Sequence, residues 1–143
     1  MIHALDTGFL VAAEVIEHPK HASACEKLTS LVTLGDRFAL APQVVMEFIH
    51  IVTDPKRFKA PLNMNAARDV AEKWWTAREV IRIFATEASV SQFFVWHQKY
   101  ALGRKRILDT LLAATYHSAT IRSILTTNPD DFASLDNFEC ITP

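Results

Sequence analysis

Asp6, Glu47, Asp109, Asn128 and Asp131 are the side chains whose types and settings could do chemistry. Asp6 separates the apolar residues 2–5 from the apolar run 9–13. Glu47 lies in PQVVMEFIHIV, Asp109 in RILDTLLAAT, and Asn128 with Asp131 in LTTNPDDF. A carboxylate among apolar neighbours is costly to bury unless something compensates its charge. Oxygen ligands gathered at one point suit a hard divalent cation, Mg²⁺ or Mn²⁺. Mg²⁺ keeps several waters and takes few protein ligands, so an open acidic cluster fits it better than a closed cage. An ion held there could activate water and offset charge on phosphoryl oxygens, which is the chemistry of phosphodiester hydrolysis. Taken singly, each acid reads as well as a helix cap or a first-turn acid. Their recurrence in four segments favours a shared site.

Those segments must be brought together by the fold. A short strand over residues 2–5 precedes a helix over 7–16 that Thr7 can cap, and His18-Pro19 ends it. Pro19 opens a second helix that stops at Gly35, and residues 38–41 form the second strand. Pro42, at a first helical position, opens the helix that carries Glu47, and Asp54-Pro55 closes it. The segment DPKRFKAPLN is the one clear loop. Asn63 or Asn65 then caps a helix containing Trp74 and Trp75. A third strand over 80–85, helices over 89–100 and 107–119, a fourth strand over 123–126, a short helix over 129–135 and a last strand over 138–141 complete the chain. Alternating strands and helices predict an α/β fold with a mainly parallel sheet. Ligands sit at the carboxyl ends of the strands in such sheets. Asp6 and Asn128 follow strands directly. Glu47 and Asp109 lie early in helices whose side chains point back toward their N-termini, so all four segments face one sheet edge.

The 143 residues suit a single domain spanning 1–143, half of it hydrophobic and 22% charged, which excludes a disordered chain. A mean hydropathy of +0.09 is apolar for so small a domain and predicts an interface. The net charge of −1 supplies no global basic field, so any nucleic-acid contact must use a local patch. Isolated Cys25 and Cys140 suggest no disulfide framework. No apolar run approaches membrane-spanning length and no basic-apolar leader opens the sequence, so the expectation is a cytoplasmic protein with no membrane partner.

ALDTGFL, PQVVMEFIHIV, ILDTLLAAT and LTTNPDDF, in this order and spacing, resemble the four acidic motifs of PIN-domain ribonucleases. The likeness is strongest to the VapC-like toxins of bacterial toxin–antitoxin pairs and covers essentially the whole chain. TDPKRF followed by PL and a helix, and RKRILD around the third acid, resemble one subgroup of them. The resemblance implies a three-layer α/β/α fold with a mainly parallel sheet. It implies metal-site acids at Asp6, Glu47 and Asp109, with Asp6 and Asp109 as Mg²⁺ or Mn²⁺ ligands. Asn128 stands where the family has Asn or Asp, and Asp131 matches the acid before the Phe. Thr7 and Thr126 match hydroxyl positions near the site. Gly8 departs from a frequently polar position and puts one auxiliary contact in doubt. The implied activity is metal-dependent endoribonuclease cleavage of RNA leaving a 5′-phosphate and a 3′-hydroxyl, by a homodimer inhibited by a small antitoxin protein. The rivals are a non-catalytic PIN-like scaffold binding RNA or protein, and a phosphatase or DNA nuclease using the same metal chemistry.

Other patterns carry less. Asp6-Thr7-Gly8 matches the DTG of aspartic proteases, but here it runs into a helix and not into a loop-paired dyad. Glu47-x-x-His50 has di-iron spacing without a second copy, and His21 with Cys25 lacks a second zinc-ligand pair. The aromatics Trp74, Trp75, Phe93, Phe94 and Trp96 read as core and protein contact ahead of base stacking. Arg104, Lys105 and Arg106 precede Asp109 at a helix start, where cations oppose the helix dipole. That placement makes them, with Lys56 and Arg57 of the basic loop, candidate RNA-backbone contacts.

Overall fold

The apolar runs become short parallel strands, and the chain visits them in an order that reverses direction at the middle of the sheet. The computed structural model describes all 143 residues. Strands β1 (Ile2–Leu5), β2 (Arg37–Leu40), β3 (Val80–Arg82), β4 (Ser123–Leu125) and β5 (Glu139–Ile141) form one sheet in the order β3-β2-β1-β4-β5, every pair parallel. Central β1 is held on both sides, with Ala4 opposite Ala39 of β2 and Ile124 of β4.

Helices α1 (Thr7–Glu14), α2 (His21–Thr33), α3 (Pro42–Val52) and α4 (Met64–Thr76) pack on one another, as do α5 (Glu87–Lys99), α6 (Ile107–Ser118) and α7 (Asp130–Ala133). Right-handed crossovers from β1 through β2 to β3 put the first group on one face of the sheet. The reversed step from β3 to β4 puts the second group on the other. The result is three layers, α/β/α, with Phe9, Phe38, Phe48, Leu112, Ile124 and Phe132 almost wholly buried between them. The chain therefore diverges to opposite faces after β1 and after β4. Such a switch point opens a crevice at the strands' carboxyl ends. Asp6 and Thr126 are the next residues there.

Local chemistry sets the boundaries. Asp6 caps α1 and Asn63, not Asn65, caps α4 by accepting from the Ala66 amide at 2.8 Å. Thr86 and Ser89 form a reciprocal capping box on α5. The first helix ends at Glu14, two residues before expected. The second begins at His21 because the His18 ring accepts from the Lys20 amide at 3.0 Å and keeps Pro19 in a turn outside it. Strand β3 stops at Arg82, not at residue 85. After the Ile83 amide reaches the Leu40 carbonyl at 3.0 Å, β2 turns away into α3 and offers no further partner. Phe84 beyond it is 58% exposed. Arg104–Arg106 form a short 3₁₀ turn leading into α6. No helix is long and apolar enough to cross a membrane.

Trp74 and Trp75 are both half-buried; Trp74 donates to the Glu14 carboxylate at 2.6 Å and Trp75 stands edge-on to Phe84. His21 and Cys25 face the carbonyls of Ala12 and Ala13, tying α2 to α1. His50 is exposed.

Candidate active site

Asp6 is 7% exposed and its two oxygens are used differently. Oδ1 accepts from the Thr7 amide at 2.8 Å, the N-cap bond of α1. Oδ2 accepts from Thr126 Oγ1 at 2.8 Å, and that hydroxyl in turn accepts from the Asn128 amide at 2.9 Å. Thr126, at the end of β4, therefore fixes the carboxylate that follows β1. Burial pushes Asp6 up to about 6, assisted by the negative charges of Asp109 and Glu47 and opposed by the bonds from Thr126 and Thr7.

Glu47 sits on the second turn of α3, where Thr7 Oγ1 donates to Oε2 at 3.2 Å and Gln43 Nε2 donates to Oε1 at 3.0 Å. Gln43 also donates to the Leu108 carbonyl at 3.1 Å, linking α3 to the start of α6. Asp109, in the first turn of α6, is likewise pushed up to about 6, by burial first and then by Asp131 and Glu47, against a lowering from Arg106. Arg106 donates to the Asp131 carbonyl, and its buried Nε, which makes no hydrogen bond, lies 3.6 Å from Asp131 Oδ1.

These groups line one cleft of about 500 Å³ that takes in Asp6, Thr7, Glu47, Asp109, Asn128 and Asp131. Thr126 lies beneath it, fully buried. Of the basic residues singled out in the sequence, Arg57 reaches the cleft. Lys56, Arg104 and Lys105 are exposed outside its lining, and Arg106 is occupied with Asp131. Sequence reasoning missed His18 and Thr127, which also line the cleft. The turn that ends the first helix was the only signal for His18. Thr127 had one in Gly8. A Cβ at position 8 would fall 2.4 Å from Thr127 Oγ1, so the missing side chain is the space this hydroxyl fills.

As the side chains stand, no three of the His, Cys, Asp and Glu residues come close enough to hold an ion among themselves. Glu47 is hydrogen-bonded by Thr7 and Gln43, and Asp131 is paired with Arg106. The donor set nonetheless fits a hard divalent cation. It is all oxygen, and two of its carboxylates are pushed up near 6 partly by their acidic neighbours.

No protein-family model matches the chain, and no curated protein matches it significantly. Solved structures do. Mycobacterium tuberculosis VapC20, described as a sarcin-ricin loop cleaving toxin, superposes with a TM-score of 0.73 at 16% identity, over 94% of this chain and 95% of that one. The chain has the PIN fold of VapC-type toxins. VapBC2 of Rickettsia felis, bound to a DNA fragment from its promoter, gives a TM-score of 0.70 at 17% identity over 100% and 99% of the two chains. VapBC-1 of nontypeable Haemophilus influenzae gives 0.66 at 18% over 99% and 98%.

Proposed function

We propose that the chain is a Mg²⁺- or Mn²⁺-dependent endoribonuclease and the toxin of a toxin–antitoxin pair. The observation that carries this reading is the convergence of Asp6, Glu47, Asp109, Asn128 and Asp131, drawn from four separate segments, on one cleft at the switch point of the sheet. The fold shared with VapC proteins supports it. Asp6 and Asp109 would hold the cation, with Glu47, Asn128 and Asp131 around them. The ion would supply Lewis-acid chemistry, offsetting charge on the phosphoryl oxygens.

The chain's own residues do the rest. Thr126 and the Thr7 amide orient the Asp6 carboxylate so that it need not reorganise when substrate arrives. Thr7 and Gln43 set the rotamer of Glu47 beside it. Arg106 offsets charge at Asp131, and Arg57 brings a cation to the cleft for an RNA phosphate. The apolar exposed side chains Phe94, Val95 and Leu108 on α5 and α6 suit a homodimer contact, and a small antitoxin protein is the expected inhibitor.

The test is incubation of purified protein with total cellular RNA in Mg²⁺, Mn²⁺ or EDTA. Cleavage should require the metal and vanish in Asp6→Asn, Glu47→Gln and Asp109→Asn proteins that remain folded. RNA bound but never cut would point to the non-catalytic scaffold instead.

A further inference from the structure

The acidic cleft does not end at its acids. Thr7 and Val11 are one turn apart on α1, and Glu47 and Ile51 are one turn apart on α3; all four line the cleft. Helices α1 and α3 pack together, so the cleft continues along both for one turn, about 5.4 Å, away from the carboxylates. Its far end is closed by the segments that follow those helices, which bring in His18 and Phe58, with Arg57 beside them. This end is apolar and aromatic with one cation, where the near end is anionic.

Both closing residues are set in place. The His18 ring takes a hydrogen bond from the Lys20 amide on Nδ1 at 3.0 Å, so Nδ1 is an acceptor and the proton sits on Nε2. Burial, with the charges of Lys20 and His21, lowers the pKa of this ring and favours the neutral form. Nε2–H is left as a donor with no protein partner. The loop bearing Phe58 is fastened by Glu17, whose carboxylate accepts from the Lys59 amide at 2.8 Å and the Ala60 amide at 3.1 Å. Phe58 forms the wall between the cleft and an adjoining apolar pocket of about 360 Å³.

We propose that the far end of the cleft is a nucleobase subsite, with Phe58 as its stacking face and His18 Nε2–H as its hydrogen-bond donor. This rests on the reading of the near end as a phosphodiester site, because it is the phosphate there that places a base one helical turn away. A base can enter an aromatic subsite only when it is unstacked and free of its Watson–Crick partner. Glu17 is the positioning residue of the subsite and touches no substrate.

The experiment uses the Asp109→Asn protein with Mg²⁺, so that binding is read without cleavage. Fluorescence anisotropy measures its affinity for an unstructured RNA octamer, for the same octamer with each base removed in turn, and for its duplex. Loss of one stacked base should weaken binding about tenfold at one abasic position. Adding Phe58→Leu should cause the same loss and abolish sensitivity at that position, and Phe58→Trp should restore both. Glu17→Ala should lose affinity although Phe58 is intact, with Glu17→Gln between. Duplex should bind more weakly than the single strand. The proposal is overturned if the Asp109→Asn protein binds no RNA, if every abasic octamer binds equally, or if Phe58→Leu binds like its parent. Base-dependent binding by a wild-type protein that never cuts RNA would instead sink the hydrolytic reading and leave the subsite standing.

Discussion

The Tyr116 hydroxyl donates to the Leu5 carbonyl at 2.8 Å and accepts from the Ala41 amide at 3.2 Å, with the side chain fully buried. One oxygen on α6 therefore joins the last residue of β1 to the residue that caps α3. Asp6 follows Leu5, Glu47 is carried by α3, and Asp109 lies two turns before Tyr116 on α6. The three acids are thus referenced to a single hydroxyl. Tyr116→Phe leaves the Leu5 carbonyl and the Ala41 amide short of a partner, which should cost about 1–3 kcal/mol in a urea melt. Cleavage at saturating RNA should fall while RNA affinity holds, because the acids loosen and the RNA contacts do not.

That bond was not legible in the sequence, whereas much of the site was. Asp6, Glu47 and Asp109 announced themselves because an acid inside an apolar run breaks the period of a buried element. Parallel strands separated by helices then fixed the edge at which they meet. Tyr116 sends no such signal, since a tyrosine in an apolar helix reads as core and its partners are backbone atoms 111 and 75 residues away. Arg106 misleads in the opposite sense. A basic run at a helix start reads as phosphate binding, yet pairing with Asp131 takes this residue inward. Strand β3 ended early for a tertiary reason, the departure of β2 into α3, which residues 80–85 do not encode.

The basic residues should accordingly separate in RNA-binding titrations against salt. Arg57→Ala should reduce the slope of log affinity against log salt by about one, the loss of one phosphate contact. Arg106→Ala should act differently, lowering stability and raising the Asp109 pKa further as its lowering partner disappears. Equal slopes for wild type and Arg57→Ala would remove Arg57 from the RNA path.

Gly8 and Thr127 should be coupled. A glycine-to-alanine change in a helix ordinarily gains roughly 0.5–1 kcal/mol. At position 8 the new Cβ meets Thr127 Oγ1 at 2.4 Å, so the threonine must leave its rotamer and the gain should vanish. In a Thr127→Ala background the clash is gone and the two remaining contacts, to the residue 127 Cβ at 3.7 Å and to Asp6 Oδ2 at 3.8 Å, are ordinary. The same Gly8→Ala change should then stabilise. A double-mutant cycle in urea reads the difference, and additive effects would contradict the close approach.

The metal-free protein should lose stability as pH rises across the acid range. Asp6 and Asp109 move from 3.8, the ordinary aspartate value, to about 6 in the fold, so between those values the folded chain holds protons that the unfolded chain has released. The stability they contribute is fully present below 3.8 and is lost as pH rises through about 6, after which it is flat. For buried Asp6 the change amounts to about 3 kcal/mol. Asp109 adds less because water screens its half-exposed carboxylate. Denaturant melts in EDTA from pH 4 to 7 should show this decline, and Asp6→Asn should flatten most of it while keeping its helix cap. On the proposed reading millimolar Mg²⁺ or Mn²⁺ would bind the deprotonated pair, and it should then raise the melting temperature above pH 6 and do little near pH 4. Asp109→Asn should be at least as stable as wild type without metal and gain less from it. If wild-type melting ignores both ions at pH 7 and Asp109→Asn is clearly destabilised, Asp109 serves the start of α6 and not a cation.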